Sequence, residues 1–340
     1  MEPKTSANAL RFSVIVPAFN AEITLRDCLK ALNDQTALKA DYEVIVVDDG
    51  SSDDTSKIAK QYNVKCVYQT NRGPAAARNR GVSEAEGEIV LFTDADCIPD
   101  RNWIYEMALP FEDSKVMGVK GAYKTRQTRL TARFAQAEFE DRYELLQRHV
   151  SIDMIDTYSA AFRKDIFEQM GGFDERFTSA NNEDTDFSYR LAAAGYKMVF
   201  NARAFVYHTH PDTLAKYLRV KFWRGYWRMV VYRRYPNKAV KDSYTPGVIK
   251  IQALSMALAL SLFLFSWLIP GLLHLGLLFS FIILLSSFPF SFKVYRRDRA
   301  LALASPMFVF LRAFVFSIGS FLGLVRSLLW PQGTGFSQMQ

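Results

Sequence analysis

A chain of 340 residues, 49% of them hydrophobic, with 42 Lys and Arg against 35 Asp and Glu, is long enough for one large domain or two smaller ones. Cys28, Cys66 and Cys97 are odd in number and show no C-x-x-C spacing, which excludes a disulfide framework and fits a reducing, cytosol-facing domain. The net charge of +7 is unevenly placed: from Thr213 onward sixteen basic residues face two acids, a surplus of +14, which leaves −7 to residues 1–212. Because those basic residues flank long apolar runs, the asymmetry points to an anionic membrane surface and away from nucleic acid. Met1 to Arg11 is polar and lacks the apolar core of a signal peptide, so insertion is expected from the far end.

Phe12–Pro17 reads as a buried strand that stops at proline, and Thr24–Leu32 carries apolar residues at helical spacing. Tyr42–Val47 is a second strand, ending in the acidic turn Asp48-Asp49-Gly50-Ser51-Ser52-Asp53. A helix over Thr55–Tyr62 and a short strand over Val64–Tyr68 follow. Strands alternating with helices at this spacing predict an α/β fold built on a doubly wound, mostly parallel sheet. No G-x-G-x-x-G follows the first strand and no Walker loop occurs, so neither nucleotide fingerprint is present. In Asn71 to Gly81, Gly73-Pro74 and three alanines make a tight helix start, a natural place for an anion, with Arg72 and Arg78 adding positive charge. An ordinary capped helix with solvated arginines reads the same stretch equally well.

The chain is organised around Phe92-Thr93-Asp94-Ala95-Asp96-Cys97, which directly follows the apolar run Ile89–Phe92. If strand geometry persists, Asp94 and Asp96 point to the same side at the carboxyl edge of the sheet, where open α/β sheets bind ligands. Two carboxylates held that close repel unless a cation lies between them. Hard divalent ions, Mg²⁺ or Mn²⁺, take such oxygen ligands and also hold substrate phosphates.

Trp103–Phe111 then suggests a helix, Val116–Ala122 a strand, and Thr128–Val150 a charged amphipathic helix that reads as scaffold. Tyr158–Arg163 leads into a short helix ending at Gly171-Gly172. The acidic cluster Asn181-Asn182-Glu183-Asp184-Thr185-Asp186 opens a helix over Thr185–Ala194. Asp186 simply complements the helix dipole there, an explanation that serves Glu183 and Asp184 less well. Met198–Phe200 and Ala204–Tyr207 read as strands, and two of the four histidines, His208 and His210, follow them as metal-side candidates.

Val14–Asn20, Val46–Ser51, Asn71–Asn79, the D-x-D, Gly171–Glu175 and Asn182–Asp184 occur in one order, and in that order the chain resembles family-2 glycosyltransferases of the GT-A fold over roughly residues 10–225. The resemblance implies an inverting transferase that uses a nucleotide-diphosphate sugar. By it, Pro17 and its neighbours Ala18, Asn20 and Glu22 border the nucleotide, Asp49 accepts from the base with Asp48 beside it, and Gly73 and Arg78 lie at the nucleotide-contacting helix start. Asp94 leans toward ribose and metal, Asp96 ligates the metal, His208 is the third metal-side position with His210 as alternative, and Asp184 is the catalytic base. With proton loss following the developing bond, Asp184 needs little pKa shift. The Q-x-x-R-W signature of processive synthases is not matched by Leu218–Trp227, so one sugar per encounter is expected.

Leu214–Tyr235 is basic, aromatic and free of acids, and as a helix it belongs in the headgroup plane. Segments 248–269 and 272–292 are each long enough to cross a hydrocarbon core of roughly 30 Å, with Pro270-Gly271 turning between them. Basic residues on both flanks put those flanks in the cytosol. A third span is assigned to 301–327 within the apolar stretch Leu301–Trp330, where Arg312 and Arg326 must be shielded or sit at the interface.

The expected organisation is a cytosolic catalytic domain (1–212), an interfacial helix and linker (213–245) and a transmembrane region (246–330), in a multi-pass protein of the plasma or inner membrane serving cell-envelope glycan synthesis. The expected acceptor is a hydroxyl of a lipid or lipid-linked saccharide. The alternatives are a polyprenyl-phosphate acceptor, a nucleotidyltransferase and a non-catalytic membrane scaffold.

Overall fold

The computed structural model describes residues 11–38, 41–177 and 182–329. The polar start before Arg11, Asn181 of the acidic cluster and Trp330 lie outside the described residues. In chain order the elements are β1 (Phe12–Ala18), α1 (Leu25–Asn33), β2 (Tyr42–Asp48), α2 (Thr55–Ala59), β3 (Lys65–Tyr68), α3 (Pro74–Ser83), β4 (Ile89–Phe92), β5 (Cys97–Pro99), α4 (Trp103–Ala108), β6 (Val116–Lys124) and α5 (Leu130–Leu146). They continue as β7 (Ala160–Arg163), α6 (Lys164–Gln169), α7 (Glu183–Ala193), β8 (Lys197–His208), α8 (Leu214–Arg234), α9 (Pro236–Val240), α10 (Gly247–Phe265), α11 (Gly271–Ser286), α12 (Phe288–Tyr295) and α13 (Arg299–Leu329). The described residues divide into two compact units: 11–124 with Leu146–His208, and Thr125–Leu145 with 209–329.

In the first unit, eight strands form one sheet in the order β3-β2-β1-β4-β7-β6-β8-β5. β1 pairs in parallel with β2 and β4, β2 with β3, and β6 with β8, whereas β7 and β5 enter antiparallel. The order reverses direction between β1 and β4, the switch point at which doubly wound sheets open a crevice. β1 and β2 stay in register as far as Ala18 and Asp48, while β4 leaves β1 at the Ile15–Phe92 pair. Pro17 therefore lies inside β1, beyond the end of β4. A proline in an interior strand is tolerated there because the neighbour that would need its N–H has already ended.

Two expected strands, Met198–Phe200 and Ala204–Tyr207, are one strand, β8. Its pairing with β6 steps from Lys120–Phe200 to Ala122–Phe205, so one residue of β6 faces four of β8. That irregularity interrupts the alternation and made one strand look like two. The helix expected over Trp103–Phe111 ends at Ala108 and passes into a 3₁₀ turn, Leu109–Glu112, that contains Pro110.

The second unit is helical. Phe134, Tyr217, Met256, Ile283, Leu301, Phe308 and Val309 form its core, drawn from α5, α8, α10, α11 and α13. α8 runs alongside α13 at backbone contact: a Cβ on Gly319 would lie 2.1 Å from Phe222 O, and one on Gly323 would lie 2.2 Å from Tyr226 O. Small residues permitting such approach are how helices associate where no hydrophobic force separates them from lipid. α10, α11 with α12, and α13 are long and apolar enough to cross a membrane.

Candidate active site

The D-x-D does not continue as a strand. Asp94, Ala95 and Asp96 form a turn closed by Cys97 N donating to Asp94 O at 3.0 Å. The carboxylates converge through this turn and not through the pleat that the sequence suggested. Among the described residues, ligating atoms of Asp94, Asp96 and Cys97 lie within 4.8 Å of one another. β5 is set antiparallel on β8 with Cys97 opposite His208, which brings His208 Nε2 to 3.5 Å from Asp96 Oδ2. Burial works against the Asp96 charge, but His208 outweighs it and holds the carboxyl below its ordinary range. Burial, with the two aspartates beside it, pushes the Cys97 thiol up. Two carboxylates, one of them half-exposed, with an imidazole alongside, make a donor set that fits a hard divalent ion.

His208 is held by a stack. Its ring lies 4.4 Å from that of Tyr123, which stacks on Tyr158 at 3.3 Å. Lys120, 0% exposed, donates to the Tyr158 hydroxyl at 3.1 Å and to Asp156. A fully buried lysine persists only when its charge is paired. The other candidate, His210, belongs to the helical unit: its Nε2 meets Gln136 Oε1 at 2.9 Å, and its ring stacks on Phe139.

A cleft of about 540 Å³ opens at the switch point, lined by Pro17, Ala18, Phe19, Asn20, Asp49, Asn71, Gly73, Arg78, Asp94 and Asp96 among others. Phe19, 52% exposed, stands in its wall. Gly73 has φ +89°, a conformation that side chains rarely adopt, and it starts α3 with Pro74 at the first position. Two of the expected nucleotide-side residues also bond within the loops. Asp48 accepts from Ser51 N at 2.9 Å and from the Ser56 hydroxyl, and Glu22 accepts from Asp54 N at 3.2 Å; neither lines the cleft. Asp48 closes the acidic turn after β2 on itself, and Glu22 holds that turn against the one after β1.

Arg78, 3% exposed, is not a solvated arginine. It donates to Asp94 Oδ1 at 2.7 Å and to Glu183 Oε1 at 2.8 Å. Burial opposes its charge, yet Asp94 and Glu183 outweigh that and raise its pKa. Thus α3 ties the D-x-D turn to the first turn of α7. Glu183 and Asp184 lie within that turn, after Asn182 in the left-handed region at φ +65°. Burial is the largest cause raising Glu183, whose Oε2 has no partner among the described residues. Burial, then Glu183, then Asp156 push Asp184 up to about 7, with Arg78 opposing them. The role asked of Asp184 needs little shift, but its carboxyl is raised all the same: at the head of a helix it would ionise easily, yet it shares a buried site with two other acids.

Residues 13–171 match the model of Glycosyl transferase family 2. Glycosyltransferase AglE of Haloferax volcanii is 32% identical over 198 residues, covering 55% of this chain and 63% of that protein. The probable glycosyltransferase YdaM of Bacillus subtilis is 29% identical over 235 residues, covering 64% and 53%. The chain thus spans between about half and just under two thirds of these relatives' own length. Among solved structures, the mannosyltransferase PcManGT of Pyrobaculum calidifontis, in complex with GDP-Man and Mn²⁺, aligns with a TM-score of 0.58 at 21% identity over 94% of this chain and 87% of that one; at that identity the likeness establishes the shared GT-A-type fold. Over residues 13–171 the chain carries a domain of glycosyl transferase family 2.

Proposed function

We propose that the protein is a membrane-anchored, inverting glycosyltransferase that moves one sugar from a nucleotide-diphosphate sugar to a hydroxyl of a lipid or lipid-linked saccharide. Its catalytic part is drawn from residues 1–212, with 125–145 set among the helices, and it faces the cytosol. The observation that carries this reading is the brace Asp94–Arg78–Glu183, which fixes a proton-accepting carboxyl, Asp184, to the carboxylates that meet a donor's diphosphate.

Asp94 and Asp96, with His208 beside them, would hold Mg²⁺ or Mn²⁺. When bound, the ion neutralises charge on the departing nucleoside diphosphate. The cleft between β1 and β4 holds the nucleotide, with Phe19 and Asp49 in its wall. Arg78 keeps Asp94 aimed outward and fixes the start of α7. Asp184 takes the acceptor hydroxyl's proton as that oxygen attacks the anomeric carbon. A pKa of about 7 suits this role, since a base works best near the operating pH. One displacement inverts the carbon.

The test is to present labelled nucleotide sugars to the purified chain with native membrane lipids and Mn²⁺, then measure label in the organic phase. One sugar nucleotide is expected to label lipid, and Asp96→Ala to abolish it. Function retained in Asp96→Ala would favour a scaffold, and release of pyrophosphate a nucleotidyltransferase.

A further inference from the structure

Within the helical unit, more bases gather around Glu138 of α5 than one carboxylate neutralises. Lys221 of α8 and Arg312 of α13 both pair with it, and the Tyr217 hydroxyl donates to it at 3.0 Å. One turn further along α5, Arg142 is 8% exposed, and its guanidinium carbon lies 5.2 Å from the Phe139 ring and 5.2 Å from that of Tyr244. Arg224, one turn after Lys221, brings its guanidinium carbon to 5.7 Å from the same Phe139 ring. Arg224 is half-buried and makes no ion pair among the described residues. The other acids of this unit are committed elsewhere: Glu140, Asp141, Glu144, Asp212, Asp242 and Asp298 each pair with a base outside this group. Burial, and after it Arg224 and Arg142, hold the pKa of Lys221 down against Glu138.

Buried positive charge in excess of its counter-charge is costly. Two guanidinium forks gathered at one ring are the donors that phosphate oxygens accept from in pairs. From this surplus we infer that α5 and α8 bind the phosphate of a membrane lipid at Arg142 and Arg224, with Lys221 as the third cation. The occupant is a lipid because of the helices that complete the group. Arg312 belongs to α13, its second nitrogen is taken by Gln252 of α10, and both helices are long and apolar enough to cross a membrane. Basic pockets set among such helices meet the head groups of the bilayer. A solvated pair of surface arginines would be screened by salt, whereas Arg142 is held between two rings and away from water. The inference goes beyond the transfer reaction and does not rest on it.

The experiment is calorimetric titration of the full chain in uncharged detergent with dioctanoyl phosphatidic acid, dioctanoyl phosphatidylglycerol, dioctanoylglycerol or inorganic phosphate. Both phospholipids are expected to bind at least about tenfold more tightly than dioctanoylglycerol. Phosphatidic acid binding more tightly than phosphatidylglycerol would assign the site to a doubly charged monoester, and equal binding to the phosphate of any head group; either supports the inference. Inorganic phosphate binding as tightly as phosphatidic acid would overturn the lipid as occupant. Arg224→Gln breaks no ion pair, so it should melt with the natural protein while binding phosphatidic acid at least about tenfold more weakly. Arg224→Lys should lose less, because it keeps the charge without the fork. Arg142→Gln should weaken phosphatidic acid by as much as Arg224→Gln. Unchanged lipid binding in either glutamine variant would overturn the site. So would an equal or larger loss of UDP or GDP affinity in Mn²⁺, which would give these arginines to a donor's diphosphate and leave the nucleotide-sugar reading standing.

Discussion

Arg78 decides how the site is held together. Its guanidinium is buried between Asp94 and Glu183, and removing one partner of a buried pair leaves an uncompensated charge, at a cost of about 3–5 kcal/mol. Arg78→Met should therefore lower the melting temperature and loosen the D-x-D turn together, seen as weaker Mn²⁺ binding by the free-ion signal in electron paramagnetic resonance. Arg78→Lys should keep one contact and recover only part of both. For Asp184 the sign of the pH effect follows from its direction of shift. The folded state holds its proton up to about 7, well above the ordinary aspartate value. Ionisation thus costs stability as pH rises through that range. Without metal, Asp184→Asn should melt higher than the natural protein at pH 8 and alike at pH 4, by differential scanning fluorimetry. The D-x-D was legible in the sequence because acids after an apolar run stand out, and the Glu-Asp pair because its acids cluster where a helix opens. The partnership of Arg78 with Glu183, 105 residues away, and the raised carboxyl of Asp184 were not, since both depend on tertiary burial and contacts that no local pattern shows.

Among the elements, α5 departs most from its sequence reading. It carries Glu138, which accepts from Lys221 of α8 at 2.7 Å and from Arg312 of α13, while Gln252 of α10 takes the second Arg312 nitrogen. Arg312 is shielded, as a charged residue in a membrane-crossing helix must be. Burial is the largest cause lowering Lys221 to about 7, despite Glu138. Helices α8 and α13 meet α5 on one carboxylate, with α10 joined through Arg312, and nothing in the local pattern of α5 distinguishes Glu138 from a solvated acid. Glu138→Ala should destabilise the detergent-solubilised protein by about 3–5 kcal/mol, and Glu138→Gln by less. Gly323→Val should separate α8 from α13 and lower the melting temperature in detergent, because its Cβ would overlap backbone and not a side chain able to move. In the sheet, the strands with continuous apolar runs were legible. β5, at three residues, is too short for any periodicity and is fixed only by pairing with β8.

Over the whole molecule, the surplus of +14 after Thr213 is partly answered within the helical unit. Lys293 pairs with Asp141 and Glu144, and Arg297 with Glu140. The exposed basic residues Arg219, Arg233, Arg296 and Arg299, with the exposed aromatic Trp223, suit an anionic bilayer surface. In right-side-out vesicles, a membrane-impermeant maleimide should label Ile269→Cys directly and Arg296→Cys only after permeabilisation; the reverse would place the catalytic part outside.

The most direct measurement compares Asp184→Asn with the natural protein for nucleoside diphosphate affinity in Mn²⁺ and for sugar transfer to lipid. A base that touches only the acceptor predicts affinity within about threefold and transfer reduced by about 10²–10⁴-fold. Transfer that persists in Asp184→Asn would contradict this account and point to an acceptor, such as a lipid phosphate, that is already ionised.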